Sequence, residues 1–192
     1  VGADYLLQAD YAARRNISMF WRFKYEEKQG NVSQTESAMP VVAPIQKLSM
    51  RYSLSYNFGN FSSKNVLEGN LVRKADAPWT YGVIASQDVS YDFKTIPLKV
   101  DFRYQFFDAL KYENRVYSYE KDVLYAFSIP MYFGLGNRYY LNLKYELNKQ
   151  LSLWFKIAQT IYADDREVLS SGNETIAGNK KTDARFLLKW EF

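Results

Sequence analysis

The 192-residue sequence contains no cysteine and no histidine. Without cysteine, neither a disulfide framework nor a thiolate metal site can form. The lack of histidine excludes more: the usual general base, the Ser-His and Cys-His nucleophile pairs, and the commonest metal ligand. No run of about 18 apolar residues occurs, so no transmembrane helix is expected. No basic cluster stands apart from acidic residues. The net charge of +4 and pI of about 9.0 therefore fit solvated loops and mixed strand charges, not a nucleic-acid surface. Val1-Gly-Ala-Asp4 is not a charged segment leading into an apolar core, so the chain does not open on a signal peptide. An exported protein needs one, which is then expected to have been cleaved or to lie upstream.

What is present is aromatic and periodic. Tyr, Phe and Trp make up 18% of the chain, a content that suits strands and membrane-interface girdles. Mean hydropathy is −0.39, which would be odd for a membrane protein unless every second residue faced a polar interior. The last strand shows the rule. Ala184, Phe186, Leu188, Trp190 and Phe192 fall on one side of an extended chain, and Asp183, Arg185, Lys189 and Glu191 on the other. Leu187 is the one apolar residue on the charged side.

The same parity recurs. Residues 4–11 and 17–26 alternate, joined by an Ala13–Asn16 turn, and Lys47–Phe58 keeps parity over twelve consecutive residues. Gly59-Asn60 reads as a turn, Asn65–Lys74 as a weaker strand, and Trp79–Asp92 and Leu98–Phe106 as strands around the turn Lys94–Pro97. Arg138–Leu147 and Leu151–Ile161 follow the turns Gly134–Asn137 and Asn148–Gln150. Gln29–Gln46, Asp108–Asn114 and Asp164–Lys181 read as loops. Arg115–Pro130 divides into a strand near Val116–Glu120 and another near Leu124–Phe133, with Pro130 marking a strand end or an irregular edge. No stretch of comparable clarity has a helical period.

Strands of about 10–12 residues cross a bilayer at a tilt, whereas soluble sandwiches favour about 5–6. The expected fold is an all-β, antiparallel outer-membrane β-barrel of about 10–12 strands, residues 1–192 forming the domain or its C-terminal portion. A soluble lipocalin-like barrel is the alternative. Dense Tyr and Trp at strand ends and the terminal Phe192 favour the membrane. With the C-terminus on the periplasmic side, Asp164–Lys181 is external and Asn148–Gln150 periplasmic, the usual asymmetry of long loops outside and short turns inside. Two strands within the Arg115–Phe133 region make eleven. Bacterial single-chain barrels have an even number, so at least one strand is expected upstream and the chain is read as the C-terminal part of a larger barrel. A single strand there would instead leave ten and a complete small barrel.

Several segments resemble a Bacteroidota family of large outer-membrane proteins that carry an N-terminal helix-hairpin-helix region and a long barrel-like portion. The resemblance lies in Arg115–Pro130, Gly134–Leu141, Leu151–Thr160 and Ser171–Lys181 running into the last strand, and is thinner before Arg115. The helix-hairpin-helix region is not in this chain, so no DNA-related role is carried over, and the family supplies no catalytic residues to map. The resemblance implies a barrel in the outer membrane of a Gram-negative bacterium.

Site expectations follow from the parity. Arg138, Lys144, Glu146, Lys156, Asp183, Arg185, Lys189 and Glu191 are expected to face the lumen, where neighbours of opposite sign can pair across strands. Phe186, Leu188, Trp190 and Phe192 are expected to face lipid and to close the barrel. No catalytic, cofactor or metal site is expected. Outer-membrane enzymes generally use a histidine, Glu26-Glu27 point to opposite faces of a strand, and Asp164, Asp165, Glu167 and Glu174 read as a solvated acidic loop. The expected partners are outer-membrane lipid, the barrel-assembly machinery through the C-terminal strand, and other outer-membrane proteins. A structural or assembly subunit of an envelope complex is the leading expectation for function, and a pore for solutes the alternative.

Overall fold

The computed structural model describes residues 2–32, 39–170 and 175–192. Nine long strands form one antiparallel sheet: β1 (Ala3–Arg14), β2 (Ile17–Val32), β3 (Val41–Phe58), β4 (Phe61–Lys74), β5 (Thr80–Asp92) and β6 (Leu98–Ala109), followed later by three more. After β6 come a single 3-10 turn (Tyr112–Asn114) and the two-residue strands β7 (Val116–Tyr117) and β8 (Met131–Tyr132), which pair only with each other. The sheet resumes with β9 (Gly134–Glu146) and β10 (Leu151–Tyr162). The short strands β11 (Val168–Leu169) and β12 (Ile176–Ala177) pair with each other before β13 (Lys180–Trp190) ends the sheet. Its order is β1-β2-β3-β4-β5-β6-β9-β10-β13, each strand beside its sequence neighbour except where short strands intervene. Among the described residues there is no α-helix, and no helix is long and apolar enough to cross a membrane.

Two sequence expectations change. The sheet has nine long strands where eleven were counted, because residues 110–133 contribute none: β6 pairs directly with β9 from Leu98↔Tyr145 to Ala109↔Gly134. The consecutive charges Glu120, Lys121 and Asp122 all find partners on one face of the sheet, which a strand alternating between two faces could not give them. Gly134–Asn137, read as a turn, begins β9. Gly136 is there for closeness: a Cβ would fall against the Ile161 carbonyl oxygen and 2.9 Å from the Phe107 ring. Pro130 does mark a boundary, with β8 starting at the next residue.

The Gln29–Gln46 segment, read as a loop, is strand at both of its described ends, and residues 33–38 lie outside the described residues. β2 runs on to Val32 and β3 starts at Val41, and the two pair from Gln29↔Pro44 to Val32↔Val41 beyond the last β3–β4 pair, Ile45↔Lys74. A two-stranded ribbon thus projects past the sheet. Pro44 lies just past the last β3–β4 pair, where its missing N–H interrupts no ladder and its carbonyl accepts from Ala75 N (2.8 Å).

The connections are asymmetric. At one end lie the turns around Arg15–Asn16, Gly59-Asn60, Phe93–Pro97 and Leu147–Gln150, with Gly59 at φ 56°. At the other lie the ribbon and the segments 75–79, 110–133, 163–170 and 175–179.

The strands are also staggered. A row of partners runs across the sheet through Tyr11, Leu54, Gln87, Tyr104, Gln159 and Thr182. Tyr11 lies three residues before the end of β1 at Arg14, Gln87 five before the end of β5 at Asp92, and Thr182 eight before the end of β13 at Trp190. The ends slide in one direction, by about 2 Å per strand, a tilt of roughly 25° given the rise per residue and the strand spacing.

Parity makes the sheet two-faced. One face carries Met50, Leu67, Phe102, Phe155, Ile157, Phe186 and Leu188, all exposed. Along β3 its apolar stretch runs from Leu48 to Tyr56, about 24 Å in height after the tilt. Polar and aromatic groups bound it. Toward the long connections, Tyr25 donates to Glu27 (2.6 Å), Gln46 bridges Glu27 and Arg73, and the Arg73 guanidinium lies 4.9 Å from the Trp79 ring. Toward the short turns, the ring pairs Tyr56–Phe61, Tyr91–Phe93 and Trp190–Phe192 line up. The other face is polar, and residues 110–133 lie across it.

Candidate functional site: a strap across the polar face

Residues 110–133 form a strap anchored at three levels. The first anchor is Asn114, fully buried. Its amide nitrogen donates to Asn70 Oδ1 (2.8 Å) and to the Thr80 carbonyl (3.0 Å), and Asn70 donates back to the Asn114 carbonyl (3.0 Å). The approach is possible because Gly82 lies beneath: a Cβ there would meet the Asn114 carbonyl oxygen and would stand 2.9 Å from its side chain. Beside this anchor Glu113 pairs with Lys74, which holds the Glu113 carboxyl below its usual value.

The second anchor is an apolar plug. Ile84, Phe107, Val116 and Tyr132 form a small buried cluster, with the Phe107 ring 5.2 Å from Tyr132 and 5.7 Å from Tyr162. Gln105, also fully buried, lies deep on this face and its side-chain amide finds no hydrogen-bond partner among the described residues.

The third anchor is electrostatic and carries most of the charge. Glu120 is completely buried and accepts from Arg138 Nε (2.7 Å), Arg138 Nη2 (3.1 Å), Lys156 Nζ (3.2 Å) and Tyr132 Oη (2.6 Å). Burial pushes its carboxyl upward, but the Arg138 fork, the Tyr132 hydroxyl and Lys156 outweigh this and leave it below the ordinary value. Burial, with the neighbouring Glu120 charge, also raises the Tyr132 phenol far above its usual range. Asp122 accepts from Lys156 (3.1 Å) and Arg185 (2.6 Å), and Arg138 reaches on to Asp183 (3.2 Å). On the other side, Arg103 is forked onto Asp88 (2.6 and 2.7 Å) and donates to the Tyr119 carbonyl (2.6 Å), while Lys121 binds Asp101 and Ser90 (both 2.5 Å). The strap is thus tied to β4, β5, β6, β9, β10 and β13.

The eight charges assigned from parity all lie on the strap face, but they do different things. Arg138 and Lys156 are buried under the strap, and Asp183 and Arg185 complete their network. Lys144 pairs with Glu146 and lies 5.6 Å from the Trp154 ring, and Lys189 pairs with Glu191, all beyond the strap. Phe186, Leu188, Trp190 and Phe192 lie on the opposite face and are exposed. Glu120, Asp122, Arg103, Asp88 and Asn114 were not foreseen. The strap residues belong to a stretch with no usable period, and their partners are up to 63 residues away.

The acidic residues considered for catalysis or cations are separated. Glu26 pairs with Lys24 on the strap face and Glu27 bonds to Tyr25 on the other. Asp164 is forked onto Arg166, which holds its carboxyl below the usual value. No group of three or more carboxylates converges among the described residues, and Glu174 lies outside them. Compared with models of known families, with curated proteins and with solved structures, the chain finds no match.

Proposed function

We propose that this chain is the C-terminal wall of an outer-membrane β-barrel, non-enzymatic, whose lumen is partly filled by the strap and passes small solutes. The observation that carries the barrel reading is the progressive stagger of nine two-faced strands. A sheet that closes on itself must shear and tilt its strands, and an apolar band about 25 Å tall between aromatic girdles is what a bilayer selects. An envelope location is also what the resemblance over Arg115–Phe192 implies.

The sheet edges support completion by further strands. β1 pairs only with β2, β13 only with β10, and every residue of β1 but Ala3 is exposed. Bare edges of this length template aggregation unless they are paired. In an antiparallel meander of nine strands the first and last run the same way, so β1 and β13 do not close antiparallel onto each other. An odd number of upstream strands closes the barrel and makes the total even. Mass spectrometry of the native protein tests this: a mass well above 22.5 kDa is expected, and a mass equal to it would overturn the reading.

Solute passage is favoured over a purely structural role by one feature. The strap seals the half of the polar face formed by β5 to β13, but leaves the inner side of β2 and β3 less covered and hydrophilic, with partly exposed Ser49 and Ser55 and exposed Asn57 along β3. A brace alone needs no hydrated channel beside it. The assembly-subunit reading keeps its own support in the dense ion pairing of the sealed half. A barrel that inserts, conducts nothing and co-purifies with other envelope proteins would establish that reading instead.

A further inference from the structure

Three cavities with basic linings lie along the bare side of the strap, the first separated from the second by the stretch of β3 that carries Ser49, Arg51 and Ser53. The first, about 350 Å³, opens toward the long connections and is lined by Lys28, Lys47, Lys74 and Arg115 against Glu26 and Glu113. Tyr112 and Tyr117 form its strap wall, and the Arg115 guanidinium lies over their rings (4.3 and 6.0 Å). The second, about 230 Å³, is lined by Lys64, Arg103 and Lys121 against Asp88, with Ser55 and Ser62 among its hydroxyls. The third, about 380 Å³, lies at the short turns with Lys94 and Lys99 against Asp92. The second and third share Asn57, Ser62 and Ser90, so they adjoin.

Each cavity has more cations than carboxylates, and the excess is not spent on ion pairs. Lys28, Lys47 and Lys64 form no ion pair among the described residues, whereas Lys24, Arg51, Lys74, Arg103 and Lys121 do. Elsewhere under the strap each buried cation meets a carboxylate. Cavities walled by protein focus the field of uncompensated charge, raising the local concentration of the opposite ion. Spaced lysines bind weakly enough to release, as a conducting path requires. Serine hydroxyls and the Tyr112 and Tyr117 rings add donors and an apolar wall without adding negative charge.

We infer that the three cavities form a path for small anions through the wall–strap interface, entered at Lys28, Lys47 and Arg115 and passing Lys64. The inference rests on the barrel reading and narrows its solute to anions. The test uses the full-length protein in planar lipid bilayers under a tenfold KCl gradient. The reversal potential is expected to report preference for chloride over potassium, and Lys47→Glu with Lys64→Glu to move it toward potassium, with the sign change as the readout. Each variant is first checked for insertion by heat-dependent electrophoretic mobility and protease protection. Failure of the unaltered protein to insert would overturn the barrel reading itself. Insertion without conductance would overturn solute passage together with the anion path, and a conducting barrel whose reversal potential the double variant leaves unmoved would overturn the anion path alone. If the double variant does not insert, Lys47→Gln with Lys64→Gln, which keeps length and polarity, takes its place: reduced chloride preference supports the path and an unchanged one overturns it.

Discussion

Asn70 and Asn114 exchange side-chain hydrogen bonds across the wall–strap boundary, each amide donating to the other residue, at 2.8 and 3.0 Å. No charge is involved, so this contact is indifferent to salt and pH and fixes the strap in register when the ionic anchors weaken. Asn114→Ala keeps the backbone carbonyl that Asn70 donates to, but removes the amide donor from Asn70 Oδ1 and from the Thr80 carbonyl in a buried site. A loss of about 1–3 kcal/mol is expected, the usual cost of unsatisfied buried polar groups. Urea unfolding in detergent micelles, followed by tryptophan fluorescence, measures it.

Gly82 and Gly69 make a matched pair. Gly82→Val drives a side chain into the Asn114 backbone, which has no rotamer with which to yield, and is expected to lift the strap's first anchor. The nearest atom to a Cβ at Gly69 is the Gly82 carbonyl oxygen at 3.6 Å, an ordinary contact, so Gly69→Ala is expected to leave the strap seated. Trypsin cleavage after Lys111 or Arg115 reads the difference. Cleavage should be fast in Gly82→Val and slow in Gly69→Ala.

Glu120→Gln removes the fully buried carboxylate of the third anchor and leaves Asp122 and Asp183 alone against Arg138, Lys156 and Arg185. Breaking a buried ion pair by removing one partner costs about 3–5 kcal/mol, and a destabilisation at the lower end is expected because the amide keeps one acceptor. Adding Lys156→Met removes one of the stranded cations. The double variant is expected to be more stable than Glu120→Gln alone in the same urea experiment.

Acid should release the third anchor. The Glu120 carboxyl titrates below its ordinary value of 4.5 when seated, so a free strap binds its proton more readily than a seated one. The stabilisation is therefore complete at neutral pH, starts to fall below about 4.5 and is lost as pH drops through the seated value. Protease accessibility of the strap should stay flat from pH 8 to pH 5 and rise below pH 4.5. In Asn114→Ala the acid response should be larger, since the neutral anchor no longer holds.

The two faces of β13 can be told apart by single changes. Leu188→Arg, beside the Trp190–Phe192 girdle, is expected to cost about 1 kcal/mol at most and to insert slowly, whereas Phe186→Arg, deeper in the apolar band, is expected to cost about 2–4 kcal/mol and to block insertion. Lys189→Leu removes an exposed pair with Glu191 and is expected to insert normally. Heat-dependent mobility after refolding into lipid vesicles compares them; the reverse outcome would turn the sheet inside out.

Much of the sheet was legible because alternation is local. Lys47–Phe58 announces β3 residue by residue, and Ile17–Glu26 announces the body of β2. The strap was not legible for the opposite reason. Glu120 has no sequence neighbour that explains it; its partners at 132, 138 and 156 lie on elements that only the fold brings together. Gly134–Asn137 misled for a related reason, since glycine serves both turns and close packing and the Ile161 backbone that crowds Gly136 is invisible in a linear reading. One local signal did exist. Glu120-Lys121-Asp122 interrupts the alternation, but Glu26-Glu27-Lys28 does the same inside β2, so that signal alone does not separate strap from strand.

The tie between Asp122 and Arg185 spans 63 positions and ends on the last strand. The strap's moorings at Asn70, Gly82, Asp88 and Asp101 lie on strands that precede it in the chain, and those at Arg138, Lys156 and Arg185 on strands that follow it. Peeling β13 from β10 would take Arg185 from Asp122 and Asp183 from Arg138 in one motion. Opening of that edge strand and loosening of the strap are therefore one coupled event.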